Sequence, residues 1–215
     1  PDHEIPVADI PDMFKTNLAK SRLVFQKGHA YFADAPNNIL KEAEAMITDP
    51  NYAKREQGKN GGYIDIHDKC DKSKLAQHLE AAQVLADRGH RVKLLPEIVA
   101  KEKAARDLFF PELKGISYSN PDTRINDKLG DFKIPDSNPV PKGSIGKAIE
   151  KTGNKKVPVC VISLVHKEYD NRDILRGISG AIKNDDRNKS VKEVWVITKD
   201  KNVLIIPRKL VQHKD

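Results

Sequence analysis

Residues 120–135, NPDTRINDKLGDFKIP, decide how the chain is read. Asn126 and Asp127 tolerate positive φ and suit a two-residue hairpin turn between two short strands. With that turn Ile125 pairs with Lys128, and counting outward sets Asp122 directly opposite Asp131. A three-residue turn pairs Ile125 with Leu129 and places Asp122 opposite Phe132, on the other face from Asp131. One residue of register separates the two readings.

In the two-residue register the opposed carboxylates have Cβ atoms about 5 Å apart, and like charges at that distance destabilise a sheet. A positive group belongs there. Mg²⁺ or Mn²⁺ fits, because a hard divalent ion takes carboxylate oxygens and leaves other positions to water and phosphate oxygens. Lys133, two residues beyond Asp131, shares its face. There it can neutralise charge developing on a phosphate and orient an attacking water. These are the parts of a phosphodiester-cleaving site. The plainer reading is a charged hairpin facing solvent, with Lys133 as a charge partner.

Working back toward the N-terminus, YIDIH (63–67) alternates Ile64 and Ile66 against Tyr63, Asp65 and His67, the pattern of a half-buried strand. Leu75, Leu79, Ala82 and Ala86 then form one stripe of an amphipathic helix, with Asp71 or Ser73 expected as its cap and Gly89 at its end. Glu80 sits at the border of that stripe, within reach of a sheet edge. HRVKLLPE (90–97) reads as a strand, and residues 98–120 as a helix or an irregular insertion.

Toward the C-terminus, GSIGKAIEKTG (143–153) is a short helix, VPVCVISLV (157–165) a buried strand, and NRDILRGISGAIKND (171–185) a further helix. VKEVWVITKDKNVLIIPRKLV (191–211) reads as a closing hairpin. The fold class expected is therefore mixed α/β (α+β), a mixed central sheet flanked by helices. Residues 1–57 read as an N-terminal segment, a helical lead or linker with helical spacing in DMFKTNLAKSRLVF (12–25) and NNILKEAEAMI (37–47). Residues 58–215 read as the functional domain.

Charged residues make up 32% of the chain against 38% hydrophobic ones, and the formal charge is +7 with a pI near 9.2. That balance suits a polyanionic partner, nucleic acid or an anionic surface. No apolar run approaches the ~18 residues of a membrane span, so a soluble chain with no membrane partner is expected. Cys70 and Cys160 lie in no CxxC or Cys/His cluster, which points to buried thiols rather than a disulfide framework or a zinc site. No GxxxxGK[ST], GxGxxG or HExxH occurs, so ATPase, dehydrogenase and zinc-protease chemistry lack their usual motifs. The chain begins with Pro rather than Met, as a module processed or cut from a longer parent would.

The helix with Glu80, the strand RVKLL, a strand opening with Pro121-Asp122, a strand with Asp131-Phe132-Lys133, the helix GSIGKAIEK and the strand VCVISL together resemble the α-β-β-β-α-β core of PD-(D/E)XK nucleases. More narrowly, GGYIDIHDK, EAAQVLADRGHRVKLLPE, NPDTRINDKLGDFK and VKEVWVITKDKNVLII resemble the tRNA nuclease domain at the C-terminus of CdiA-type contact-dependent inhibition toxins. Similar domains end some phage and mobile-element proteins. The resemblance spans residues 58–215. It implies Glu80, Asp122 and Asp131 as ligands of Mg²⁺ or Mn²⁺ and Lys133 as the catalytic lysine. It also implies a tRNA substrate, a cognate immunity protein, acidic against this basic surface, and delivery into a target-cell cytoplasm during bacterial competition.

His67 is a further catalytic candidate, set against a structural histidine. Lys142, Lys147, Lys151 and Arg208 are phosphate-contact candidates, set against solvated helix faces. Trp195 is expected to pack rather than stack on a base. Three other functions stand beside the tRNA nuclease. One is a metal-independent ribonuclease of the barnase, EndoU, colicin E5 or RelE type working through His67, Lys133 and Arg208. Another is a DNase with the same metal site. The third is a non-catalytic nucleic-acid-binding component of a phage or mobile element.

Overall fold

The computed structural model describes residue 52 and residues 54–212, together with the backbone of three short strands, β1 (His3–Glu4), β2 (Leu23–Gln26) and β3 (His29–Phe32). Those three form a small antiparallel sheet. The helical reading of 12–25 therefore ends in a strand, where Val24 is β-branched and Phe25 aromatic. The rest of that reading, and the one of 37–47, lie outside the described residues.

An eight-stranded mixed sheet forms the centre. Its strands are β4 (Lys54–Gln57), β5 (Tyr63–Ile66), β6 (Arg91–Leu94), β7 (Thr123–Ile125), β8 (Lys128–Lys133), β9 (Val159–Ser163), β10 (Glu193–Ile197) and β11 (Val203–Pro207). They neighbour one another in chain order. Pairs β5–β6, β8–β9 and β9–β10 are parallel and the others antiparallel. Lys54–Gln57, on the N-terminal side of the 57/58 boundary, is one of the two edge strands of this sheet. Each parallel step is bridged by a helix: α1 (Leu75–Asp87) between β5 and β6, α3 (Lys142–Asn154) between β8 and β9, and α4 (Asn171–Ile182) between β9 and β10. Parallel neighbours need such crossovers. From α1 onward the main elements run helix, three strands, helix, strand, the order anticipated from the sequence.

The two faces of the sheet follow the period-two pattern. Ile64, Ile66, Val92, Leu94, Val159, Val161 and Trp195 pack with Ala81, Ala82 and Leu85 of α1. Cys160, Ile162, Val194 and Val196 pack on the other face with Ile145 and Ile149 of α3 and Ile174 and Ile178 of α4. Strand β9 is buried at all five positions because both faces are covered. Gly177 lets α4 approach α3 closely, since a Cβ there would lie 2.6 Å from the Lys142 carbonyl oxygen and 2.7 Å from Ile145 Cβ.

Several ends differ from their sequence signals. Helix α1 starts after Lys74 without a side-chain cap, and Asp71 instead accepts from the Ser73 amide and hydroxyl ahead of it. Gly89, at φ +88°, ends the helix as expected. Helix α4 is capped by Asp170, whose carboxylate accepts from the Arg172 amide. The closing hairpin stops at Pro207, and Arg208–Gln212 turns into a short helix α5. The insertion between β6 and β7 holds a helix α2 (Lys103–Phe109) and a 3₁₀ turn (Pro111–Leu113).

Candidate functional site

The decisive register is the two-residue one. Ile125 pairs with Lys128 and Thr123 with Gly130, and both Asn126 (φ 48°) and Asp127 (φ 72°) adopt positive φ. This is the arrangement of a tight turn matched to strand twist. The ladder frays at Asp122, whose amide still donates to the Gly130 carbonyl at 3.1 Å while its Oδ2 accepts from the Phe132 amide at 2.9 Å. Asp122 and Asp131 thus stand side by side at the end of the hairpin.

Asp131 is fully buried. It pairs with Cys160 across β8–β9, so it points to the face covered by α3, while Phe132 points to α1. Lys133, on the same face, forms a close ion pair with Asp131 Oδ2. A second cation arrives from a residue that sequence reading passed over. Lys155, immediately after the last turn of α3, donates to Asp131 Oδ1 at 2.7 Å and to the Asn120 carbonyl at 3.0 Å, and lies 3.7 Å from Asp122 Oδ1. Two carboxylates and two ammonium groups therefore meet at one point of the sheet.

The electrostatics divide the pair. Burial, then the neighbouring Asp131 charge and the hydrogen bond between the two carboxyls, push the Asp122 pKa up to about 7. Asp131 is also penalised by burial, but the hydrogen bond from Asp122 and the charges of Lys133 and Lys155 hold it below the usual carboxylate range. Lys155 loses by burial and gains more from Asp122 and Asp131, so its ammonium is held above the ordinary lysine value. Between the two carboxyl values the pair carries one proton.

Helix α1 presents His78 to this end of the sheet. His78 is buried, its ring centroid is 5.1 Å from that of Phe132, and burial pushes its pKa down to about 4, so it is neutral at pH 7. With Asp122, Asp71 and Glu97 it borders a small hollow beside the pair. Its signal in the sequence was its helical spacing from Ala81, Ala82 and Leu85.

The other predicted residues are placed elsewhere. The carboxylate of Glu80 is 44% exposed and lies 2.9 Å from His166 Nε2. His67 is buried with its ring edge-on to Tyr52 and Phe109, and its Nδ1 accepts from the Lys69 amide. It packs under the insertion. Arg208 is buried and donates to the carbonyls of Asn184, Arg187, Asn188 and Val191. Those bonds make it a brace for the chain between α4 and β10, and correct its reading as a phosphate contact. Lys147 and Lys151 are exposed and stand eight and four residues before Lys155, on one stripe of α3. Lys142 is exposed at the first turn of that helix. Trp195 packs in the core and donates from Nε1 to Glu193. Both cysteines are buried free thiols.

The donor set bears on the expected metal. Among the described residues no group of three or more His, Cys, Asp or Glu side chains is placed to hold a metal ion. Asp122 and Asp131 alone fit Mg²⁺ or Mn²⁺, since such ions are commonly held by one or two carboxylates with water and phosphate oxygens completing the shell. Lys155 occupies the adjacent position of positive charge.

Residues 119–203, which include the whole hairpin, Lys155 and strands β9 and β10, match the family described as the contact-dependent growth inhibition CdiA C-terminal domain. The chain thus resembles the toxin end of contact-dependent growth inhibition proteins. No curated protein matches the chain. Among solved structures, a chain of the CdiA-CT/CdiI toxin and immunity complex from Burkholderia pseudomallei aligns with 20% identity and a TM-score of 0.39, covering 70% of this chain and 97% of that one. No helix among the described residues is long and apolar enough to cross a membrane.

Proposed function

We propose that this chain is a metal-dependent endoribonuclease of the PD-(D/E)XK type that cleaves tRNA, acting as the toxic effector domain of a contact-dependent growth inhibition protein. The observation that carries the reading is the buried Asp122–Asp131 pair clasped by Lys133 and Lys155, inside the stretch that matches the CdiA C-terminal family. A divalent cation on Asp122 and Asp131 would neutralise phosphate charge and make water a stronger nucleophile. Lys133 and Lys155 hold Asp131 ionised, and beside a phosphate bound at the pair their ammonium groups would stabilise the charge that accumulates in the transition state. Lys147 and Lys151 extend the positive stripe of α3 away from Lys155 and suit a phosphate backbone. Shape rather than duplex sequence would then select the RNA.

A cell that makes such an effector needs a neutralising partner, and a protein with an acidic surface suits the formal charge of +7. The metal-independent alternative through His67, Lys133 and Arg208 is weakened because His67 and Arg208 are buried and engaged away from Asp131. The test incubates the protein and an Asp131→Ala variant with total tRNA and with plasmid DNA, each in Mg²⁺, Mn²⁺ or EDTA. The expected result is tRNA cleavage that needs metal and is lost in the variant. Cleavage in EDTA overturns the metal assignment, cleavage of DNA alone overturns the substrate, and tight binding without cleavage leaves a nucleic-acid-binding module.

A further inference from the structure

The insertion between β6 and β7 contains a pocket that the Asp122–Asp131 site does not use. It has a volume of about 250 Å³ and is lined by Lys103, Arg106, Phe110, Lys114, Ser117 and Tyr118 among others. A space of this size lies just below the usual range of ligand pockets, about 300–1,000 Å³. It takes one flat ring rather than a whole cofactor.

Its walls differ in kind. Phe110 is a fixed apolar wall at 1% exposure, whereas Tyr118 stands at the rim with 67% of its surface exposed and Ile116 beside it at 61%. The guanidinium of Arg106 lies 5.4 Å from the Phe110 ring centroid and is held by the Ile98 and Ser119 carbonyls and the Asn120 side chain. Lys103 and Lys114 bring positive charge to the rim. The Lys114 pairing with Asp107 spans 3.6 Å between side chains that are 67% and 34% exposed, an arrangement that exchanges partners readily.

The pocket is also tied to the carboxylates. Asn120, gripped by Arg106 through its side chain, accepts from Lys155 Nζ through its carbonyl. Tyr118 precedes Asp122 by four residues, so their Cα atoms lie within roughly 14 Å of one another. Aromatic surface and a cationic rim are the features by which proteins hold single-stranded nucleic acid.

Resting on the ribonuclease reading, we propose that this pocket is a subsite for one unstacked base of the RNA substrate. Tyr118 stacks on the base at the rim, Phe110 closes the apolar wall, and Lys103 and Lys114 hold the adjoining phosphate. The insertion thereby sets which unpaired nucleotide is presented to Asp122 and Asp131.

The test measures binding of a fluorescein-labelled single-stranded RNA hexanucleotide to the Asp131→Asn protein and, separately, to the wild-type chain in EDTA. Tyr118→Ala and Lys103→Ala/Lys114→Ala are introduced into both. Tyr118→Ala is expected to weaken binding by about five- to 150-fold, the range for removing one base stack. The lysine variant is expected to flatten the salt dependence by about 0.7 in log–log slope for each phosphate that is no longer neutralised. Circular dichroism and thermal midpoints unchanged from the parent exclude misfolding. Unaltered affinity in both variants overturns the subsite, and leaves the nuclease reading standing if the wild-type chain still cuts tRNA. If that chain cuts nothing yet releases RNA on Tyr118→Ala, the subsite holds and the proposed reaction falls.

Discussion

The ammonium of Lys155 stands 2.7 Å from Oδ1 of Asp131, a carboxylate 24 positions earlier in the chain. Lys133 holds the other oxygen, so neither lysine alone accounts for the charge of that buried group. Lys155→Met is expected to lower cleavage by about 100-fold or more, the scale of removing one preorganised donor from a developing anion. RNA affinity should stay close to wild type. Single-turnover rates against filter-binding constants check the split, and an unchanged rate would remove Lys155 from the reaction.

The carboxyl pair makes stability depend on pH. In the folded chain Asp122 keeps its proton up to about 7, whereas an unfolded carboxyl releases it near 3.8. Between those values the folded state binds more protons than the unfolded one, so this contribution is present at low pH and is lost as pH rises toward about 7. Asp131, held below its usual range, runs the other way: its contribution is present above the unfolded value and is lost on acidification below it. His78, held down to about 4, also opposes the Asp122 contribution, because its unfolded imidazole binds a proton below about 6.5 and stability rises as that proton leaves. The Asp122 contribution is therefore read as a difference, the thermal midpoint of Asp122→Asn rising relative to that of the metal-free wild type between about pH 5.5 and about pH 8. Thermal melts of both proteins at the two pH values decide it.

Arg208→Met is expected to cost about 3 kcal/mol, because four carbonyls lose a charged donor in a buried setting. The thermal midpoint should fall by about 6–12 °C, with RNA affinity little changed at temperatures where the protein is folded. A loss of affinity without a loss of stability would restore Arg208 as a phosphate contact.

Two glycines of α4 should respond in opposite directions. Gly177→Ala drives a methyl group into the Lys142 carbonyl and Ile145 and is expected to cost about 1–3 kcal/mol. Gly180→Ala meets nothing within 4 Å and should gain about 0.5–1 kcal/mol from helix propensity. Urea titrations of the two variants check the pair.

What the sequence made legible was local. Asn126-Asp127 set the hairpin register because turn chemistry acts over four residues, and Ile64/Ile66 marked a buried face because strand periodicity is two. The helix α1 stripe was equally plain, but His78 and Glu80 border it on opposite sides, about 160° apart around the axis, and the stripe alone does not say which border meets the carboxylates. His78 faces the hollow beside Asp122, while Glu80 meets His166. Lys155 carried no short-range motif, since the docking of α3 brings it to Asp131. The i, i+4, i+8 run of Lys147, Lys151 and Lys155 was its one visible trace. Arg208 misled because a strand-end arginine looks solvated until the carbonyls from residues 184–191 are folded around it.

The division of the site between a hairpin and a later helix also gives it an order in time. A ribosome releases Asp122, the turn and Asp131 together, and Lys155 only after 24 further residues have been made. Until α3 docks, the hairpin carboxyls are still solvated and ionise near 3.8; the burial that keeps a proton on Asp122 up to about 7 comes only with the docked sheet. The nascent chain therefore carries two ordinary acids, and the cluster of two carboxyls and two ammonium groups comes into being with the closing of the α3 crossover rather than with the appearance of its carboxylates.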